Sequence, residues 1–584
     1  MKKIYLAVFL ACSMGGAVHA QLSEGGLPRS MSLSKEIPSA ATIATLHFET
    51  PDFATARMED QKNIGAAKAY RSALLVNSDI SLQNSGSFTY LPDGSKIWRL
   101  RVRIDEVQAL NFYYDRFALP EGVKYFVYNA NGRQILGAFT SANNSSDGLF
   151  ATAQVQGGDV ILEMNISAKT DISKIAFHIN KIGAFYRGEE ALTRWYGSMS
   201  EGTGLKPTDA SPCHINAACP QGAAYPEPRK ATVRITIPIN PSEIGFCSGT
   251  LINNAAGNCK PYLLTASHCD GANGRTDDHF TQFMFDFNYE WANCDGTGAP
   301  SNVRTLNGAN FRARSNYPSA GGGAVADFLL LELRNSPGNN WGTYMAGWNR
   351  SATVFNDPEM DFFIGFHHPA GDLKKLSTTD AIDPNGTFNQ NVISATHWSL
   401  SFGVGYSEGG SSGSGLFDKN GRLIGDLSGG EIPAGACAPA GPQAKYSKLS
   451  KAWDFDFDPS PGPATRLKDW LDPGNTGATR TDAVAFPCTP TSGINETILG
   501  NSVNVYPNPA TNYIRIKTNF VQTADLEISI YDITGKKMGA YQVENAASGE
   551  YKIETSTLPN GIYLVNFLDK KSGAKVSRKV VINR

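Results

Sequence analysis

Short runs in which hydrophobic and polar residues alternate recur along this chain, and they predict strands rather than helices. Trp98, Leu100, Val102 and Ile104 alternate with Arg99, Arg101 and Arg103, the two-residue period of a half-buried strand. Tyr125-Phe126-Val127-Tyr128 runs into Asn129-Ala130-Asn131-Gly132, a strand entering a hairpin turn, and Val160-Ile161-Leu162-Glu163-Met164 is a further strand. These segments predict a β-sandwich within residues 21–206. A second set begins at Val233-Arg234-Ile235-Thr236-Ile237. Phe246-Cys247-Ser248-Gly249-Thr250-Leu251-Ile252 and Pro261-Tyr262-Leu263-Leu264-Thr265-Ala266 then read as a strand pair across an Asn/Gly-rich loop, which would bring Cys247 close to Cys269. The one clear helical signal is residues 464–471, stopped by Asp472-Pro473-Gly474. A linker, 489–500, separates this set from an all-β tail, 501–584, marked by Tyr506-Pro507-Asn508-Pro509, Tyr531-Asp532-Ile533-Thr534-Gly535 and Leu558-Pro559-Asn560-Gly561.

With 584 residues the chain is too long for one core, so about three or four domains are expected. Net charge is −2 with both signs interspersed, which argues against a nucleic-acid partner. The N-terminus carries Met1-Lys2-Lys3, an apolar run over 4–11 and Val18-His19-Ala20, the pattern of a cleaved signal peptide over 1–20. Cys12 falls inside that signal, leaving eight of nine cysteines in an exported chain, where disulfides are expected. After the signal no apolar run is long enough to span a bilayer. Composition shifts at residues 202–209, a polar loop suited to processing. The 21–206 segment is then a pro-domain that assists folding or blocks a cleft, or else a binding module kept in the mature protein.

Three segments carry chemistry. Gly409-Gly410-Ser411-Ser412-Gly413-Ser414-Gly415-Leu416 is a turn that can present the Ser414 hydroxyl, with the N–H groups of Ser412, Gly413 and Ser414 as an oxyanion hole. Leu263-Leu264-Thr265-Ala266-Ser267-His268-Cys269 places a histidine at the end of an apolar run, and Asp327 heads another. The order His268, Asp327, Ser414 is that of the chymotrypsin-type double β-barrel, and it predicts a serine endopeptidase in residues 207–488. Gly413 directly precedes Ser414, so no acidic residue there can pair with a new N-terminus, and latency must come from the pro-segment. Adjacent His367 and His368 point to opposite faces of a strand and do not chelate one ion together, while Asp454, Asp456 and Asp458 lack the turn glycine of a calcium loop. No metal or cofactor is expected.

At Cys247-Ser-Gly-Thr-Leu-Ile, Tyr262-Leu-Leu-Thr-Ala-Ser-His268-Cys269, Asp327-Phe-Leu-Leu-Leu-Glu-Leu, His367-His368-Pro369, Gly410-Ser-Ser-Gly-Ser414 and Trp470-Leu-Asp-Pro, the chain resembles bacterial lysyl endopeptidases over residues 210–485. The resemblance implies the triad above and disulfides Cys213–Cys437, Cys219–Cys294 and Cys247–Cys269, leaving Cys259 and Cys488 to pair with each other or stay free. It also implies a pocket involving Trp398, Ser428 and Gly429. Where such proteins carry the aspartate that binds a substrate lysine, this chain has Ala444, so Glu408 is the candidate anion for a Lys or Arg side chain. A preference for small or apolar residues is the alternative, and a non-catalytic surface adhesin on the same fold is another. The tail resembles the C-terminal sorting domains of type IX secretion cargo, which implies passage to the cell surface or outside and the secretion machinery as a partner. Read from its strands alone, the tail is an Ig-like β-sandwich that would equally suit a binding module. Protein or peptide substrates and a monomeric state complete the expectations.

Overall fold

The computed structural model describes residues 23–33, 37, 42–62, 69–196, 210–297, 300, 303–315, 326–388, 395–430, 443–454, 462–488, 499–500, 502–520, 524–570 and 574–584. The expected signal over 1–20, the processing loop 202–209, Cys437, Asp456 and Asp458, and most of the linker 489–500 lie outside the described residues. The chain is mostly β.

The N-terminal module has two sheets with a shared core. One is six-stranded and contains Thr45–His47, Lys96–Arg103, Asp159–Ile166, Val123–Asn129, Ile135–Phe139 and Ser87–Tyr90. In strand Lys96–Arg103, Trp98, Leu100 and Val102 are fully buried as the alternation predicts, but Ile97 and Arg99 on the opposite face are buried too and only Arg103 is exposed. Arg101 sits at the margin, paired with Asp159 at 2.5 Å. The facing sheet brings Tyr70–Ser81, Ala176–Phe185 and Ala109–Ala118 side by side. Phe112, Tyr114, Phe117 and Phe177 from it meet Trp98, Tyr125 and Met164 from the first sheet in one cluster.

The central unit begins with strands in the spatial order Arg304–Asn307, Met284–Phe287, Thr232–Asn240, Glu243–Ile252, Tyr262–Thr265, Leu329–Leu333 and Ala309–Arg314. The first and last strands of that row are separated in sequence only by Gly308, whose φ of +79° makes a tight turn that a side chain would strain. The row therefore rolls into a nearly closed barrel, filled by Val233, Ile235, Leu251, Leu263, Phe285 and Leu330. An eight-stranded sheet follows, ordered Ile215–Asn216, Lys375–Thr379, Phe363–His367, Gly415–Asp418, Leu423–Gly430, Gln443–Lys448, His397–Ser401 and Asp383–Gly386. The predicted 464–471 helix is shorter than expected, with only Lys468–Leu471 helical.

The N-terminal module is not set apart by a bare linker. Strand Tyr70–Ser81 pairs antiparallel with Glu243–Ile252, matching Tyr70 to Phe246 and Leu74 to Glu243, so one hydrogen-bonded sheet runs through both.

Cys219–Cys294 and Cys247–Cys269 form as expected. Cys213 is disulfide-bonded, and its expected partner Cys437 is outside the described residues. Cys259 and Cys488 pair with each other across 229 residues. A bond closing so long a loop restricts the unfolded chain strongly, so replacing both by serine should cost about 2–4 kcal/mol, read as a lower midpoint in thermal unfolding.

The tail packs a three-stranded sheet, Val503–Tyr506, Tyr513–Thr518 and Gly549–Glu554, against four strands, Lys537–Ala546, Ala524–Asp532, Gly561–Asp569 and Lys575–Ile582. Its own core contains Ile514, Ile516, Ile528, Val565 and Phe567. Among the described residues no helix is long and apolar enough to cross a membrane.

Candidate active site

His268 stands in a 3-10 turn, Ser267–Cys269, directly after strand Tyr262–Thr265. The turn is anchored on both sides. Cys269 is bonded to Cys247 on the adjacent strand. Arg314, 1% exposed, donates to the Ser267 carbonyl at 2.8 Å and to Asp270 Oδ2 at 2.7 Å.

The His268 ring meets Asp327 with Nδ1 2.7 Å from Oδ2, and the His268 N–H donates to Oδ1 at 3.1 Å. Both side chains are essentially closed to solvent, at 1% and 0% exposure. A carboxylate only accepts, so a neutral His268 carries its proton on Nδ1 and a lone pair on Nε2. Burial works against the charge of Asp327. An imidazolium at His268, hydrogen bonds from the His268 ring and backbone, and another from Ser428 outweigh burial and hold this carboxylate below its ordinary range. The Asp327 N–H is fixed by Ser447 Oγ at 3.0 Å. Asp426 behaves oppositely: burial and the charge of Asp327 push it well above the ordinary range.

Ser414 lies at the entry to strand Gly415–Asp418 and is fully buried. Its turn is docked on the strand that leads to His268. Gly413 has a φ of +78°, and a Cβ there would fall 2.1 Å from Thr265 Oγ1 and 2.6 Å from the Ala266 nitrogen. Only glycine permits that approach. The Ser248 N–H donates to the Ser412 carbonyl at 2.8 Å across the same contact. Burial pushes the Tyr446 phenol up, with the neighbouring Ser414 opposing the rise. Two of the expected oxyanion donors are internally bonded: the Gly413 N–H gives to Leu427 O at 2.8 Å and the Ser414 N–H to Ser411 O at 3.1 Å.

The expected pocket residues are dispersed. Glu408 does not present a free carboxylate, because Oε1 accepts from the Ser211 N–H and the His214 ring, each at 3.1 Å. Trp398, expected to line a cleft, is 1% exposed and donates to the Ile424 carbonyl at 3.0 Å inside the second core. Ala444 is fully buried in its strand opposite Leu400. Ser428 Oγ lies 3.1 Å from His397 Nε2, and Gly429 is half-buried beside it. Among the described residues no group of three His, Cys, Asp or Glu is placed to hold a metal ion.

Sequence reasoning missed Arg314, Asp270, Ser447 and Asp426. None has a local signature, because each acquires its role from a partner tens of residues away.

Residues 208–446 match the family model described as lysyl endopeptidase, C-terminal domain. The central unit is lysyl endopeptidase-like. A lysyl endopeptidase from Pseudomonas aeruginosa is 29% identical over 236 residues, which are 38% of this chain and 46% of that protein. The chain thus matches just under half the length of that curated relative. The lysyl endopeptidase-like match takes in His268, Asp327 and Ser414. Residues 504–583 match a secretion system C-terminal sorting domain, which marks the protein for type IX secretion to the cell surface or outside.

Two solved structures share local similarity. One is a protein from Bacteroides vulgatus with an immunoglobulin-like β-sandwich fold, at 16% identity and a TM-score of 0.12, covering 14% of this chain and 83% of that one. The other is PorZ, a surface component of the type IX secretion system of Porphyromonas gingivalis, at 10% identity and a TM-score of 0.12, covering 59% and 42%. Scores this low carry no argument about the fold.

Proposed function

We propose that this protein is an exported serine endopeptidase whose triad is His268, Asp327 and Ser414. The observation that carries the reading is the buried 2.7 Å contact between His268 and Asp327, with the Ser414 turn docked on the same strand end. Asp327 holds the ring so that Nε2 is the base, and it stabilises the imidazolium that forms when Ser414 gives up its proton to attack a peptide carbonyl. The acyl-enzyme is then hydrolysed by water activated by the same nitrogen. For the Ser414 N–H to stabilise an oxyanion it must exchange Ser411 O for the substrate oxygen, so the Ser411–Ser412 peptide rotates on binding.

The nearly closed barrel and the eight-stranded sheet are read as the two halves of a chymotrypsin-like double barrel over 207–488. Residues 21–206 are read as its pro-domain, and 501–584 as an Ig-like sorting domain that engages the type IX secretion machinery before removal. Substrates are proteins or peptides, and the working form is a monomer. With Ala444 at the position of the pocket aspartate and Glu408 engaged elsewhere, the side chain preferred before the cut is set by the Ser428–Gly429 wall rather than by a fixed anion.

The test combines a fluorophosphonate serine probe with a mixed peptide library read by mass spectrometry. Labelling at Ser414 and cleavage by the processed protein support the reading. A correctly processed sample that neither labels nor cuts would sink it and leave the adhesin.

A further inference from the structure

Behind the serine turn lies a closed polar chain that the reaction does not use. The Ser377 hydroxyl must donate to the Tyr406 carbonyl, 3.0 Å away, so it accepts from His367 Nε2 at 2.9 Å. Burial keeps His367 neutral, holding it well below its ordinary range, which leaves Nδ1 as an acceptor. The Ser411 hydroxyl, 2.8 Å from Nδ1, is therefore the donor, and its oxygen in turn accepts the Glu408 N–H at 3.2 Å. The Ser411 N–H closes the loop onto Glu408 O at 2.9 Å. Every direction in this chain is determined, and it fixes Ser411 from its side chain and its backbone together.

The other end of the chain is the Glu408 carboxylate. Oε1 accepts the Ser211 N–H and the ring N–H of His214, both at 3.1 Å. The His214 ring stacks on Tyr406 at 4.5 Å and stands edge-on to His367 at 5.4 Å, with its side chain fully buried. Cys213 between them is tied down by a disulfide. Residues 211–214 thus reach nearly two hundred positions along the chain to grip the segment just before Ser414.

We infer that residues 211–214 are a latch that positions the serine turn, with Glu408 as its catch and His367 as its backstop. This rests on the endopeptidase reading and deepens it. Ser411 is the residue whose carbonyl holds the Ser414 N–H at 3.1 Å, so it is the pivot about which the oxyanion donors are presented. A latch that fixes the N–H and side chain of Ser411 leaves only its carbonyl side to rotate. It takes the part that an acidic residue beside the nucleophile would play: a carboxylate near the serine is held by hydrogen bonds from a segment just past the expected processing loop. Glu408, His214 and His367 are positioning residues and touch no reacting atom.

The experiment uses the processed protein and its Glu408→Ala, Glu408→Gln and His214→Ala variants. Each is measured on two peptides differing only in the residue before the cut, one lysine and one leucine, and by its rate of labelling with a fluorophosphonate. A misplaced turn costs about 10²-fold in rate. Glu408→Ala and His214→Ala should each lower kcat and the labelling rate by that order on both peptides, with KM nearly unchanged. Glu408→Gln, whose amide oxygen accepts the same two donors, should restore most of the rate. Thermal unfolding of each variant separates a lost latch from a lost fold, and so does the rescue by glutamine. A loss confined to the lysine peptide and carried by KM would overturn the latch and make Glu408 a pocket anion. Wild-type rates in both alanine variants would overturn it outright. A wild-type protein that never labels would overturn the endopeptidase reading and the latch with it.

Discussion

Replacing Ser414 by alanine should leave a folded, secreted protein whose peptide hydrolysis is about 10⁶-fold slower, with substrate binding little changed. The substitution removes one oxygen from a fully buried site, and none of the bonds that hold its turn uses that oxygen: Ser414 N–H to Ser411 O, Leu427 N–H to Ser414 O, Gly413 N–H to Leu427 O, and the Ser411 hydroxyl to His367. The fold therefore has no reason to change while the nucleophile disappears. Asp327→Asn probes the same machinery differently. An asparagine amide facing His268 Nδ1 would donate rather than accept, forcing the proton onto Nε2 and disabling the base, at a cost of about 10⁴-fold in kcat. Initial rates on one defined peptide, with folding verified by thermal unfolding, check both. Equal activity in the Ser414 variant would end the triad assignment.

The second large effect concerns Arg234, and it lies on stability. This residue is 1% exposed on strand Thr232–Asn240, yet its guanidinium meets Glu189 of the N-terminal module at 2.8 Å and Asp286 of the central unit at 2.9 Å. It also donates to the Gly371 carbonyl at 3.1 Å and lies over the rings of Tyr289 and Phe246 at 3.8 and 4.4 Å. Arg234→Ala strands two buried carboxylates without their cation, an error of about 3–5 kcal/mol. The expected result is a lower unfolding midpoint and early proteolytic release of the N-terminal module. Adding Glu189→Gln should recover part of the loss, because one of the stranded charges is then gone.

Glu189 also makes this junction sensitive to pH. Burial pushes it from 4.5 up to about 7, with Asp286 adding to the rise while Arg234 and the Gln156 amide oppose it. The folded state thus holds the proton more tightly than the unfolded chain. The stability this confers is complete below about pH 4.5 and is lost as pH rises through about 7, a difference of a few kcal/mol. Unfolding midpoints measured from pH 5 to 8 should fall for the wild type and flatten in Glu189→Gln. A flat wild-type profile would contradict the assignment.

Much of this was legible in local patterns. Trp98, Leu100 and Val102 were legible as one face of a strand because they enter one core, although the other face of that sheet is covered as well, at Ile97, Arg99, Phe126 and Ile161. The His268, Asp327 and Ser414 segments were recognisable because each needs a particular residue beside an apolar strand, a requirement that a few consecutive positions express. Alternation alone would turn Arg234 of Val233-Arg234-Ile235-Thr236-Ile237 outward. The N-terminal module covers that outward face, so both faces of the strand are buried, and no pattern within five residues reports a cover supplied from elsewhere in the chain. The partners of Glu408 were out of reach of local pattern for the same reason, because Ser211 and His214, which take up its carboxylate, lie 197 and 194 positions away.

By itself, then, the sequence determined the β-rich character and the sorting tail, and the resemblance it carries implied the Cys219–Cys294 and Cys247–Cys269 bonds. Only the tertiary structure decided that the N-terminal module shares a hydrogen-bonded sheet with the central unit, that Arg234 is a buried cation between two carboxylates, and that Glu408 is held by the segment at 211–214. The division is physical. Periodicity and turn chemistry are written in neighbouring residues, whereas the burial of a charge and the identity of its partner depend on which distant surface closes over it.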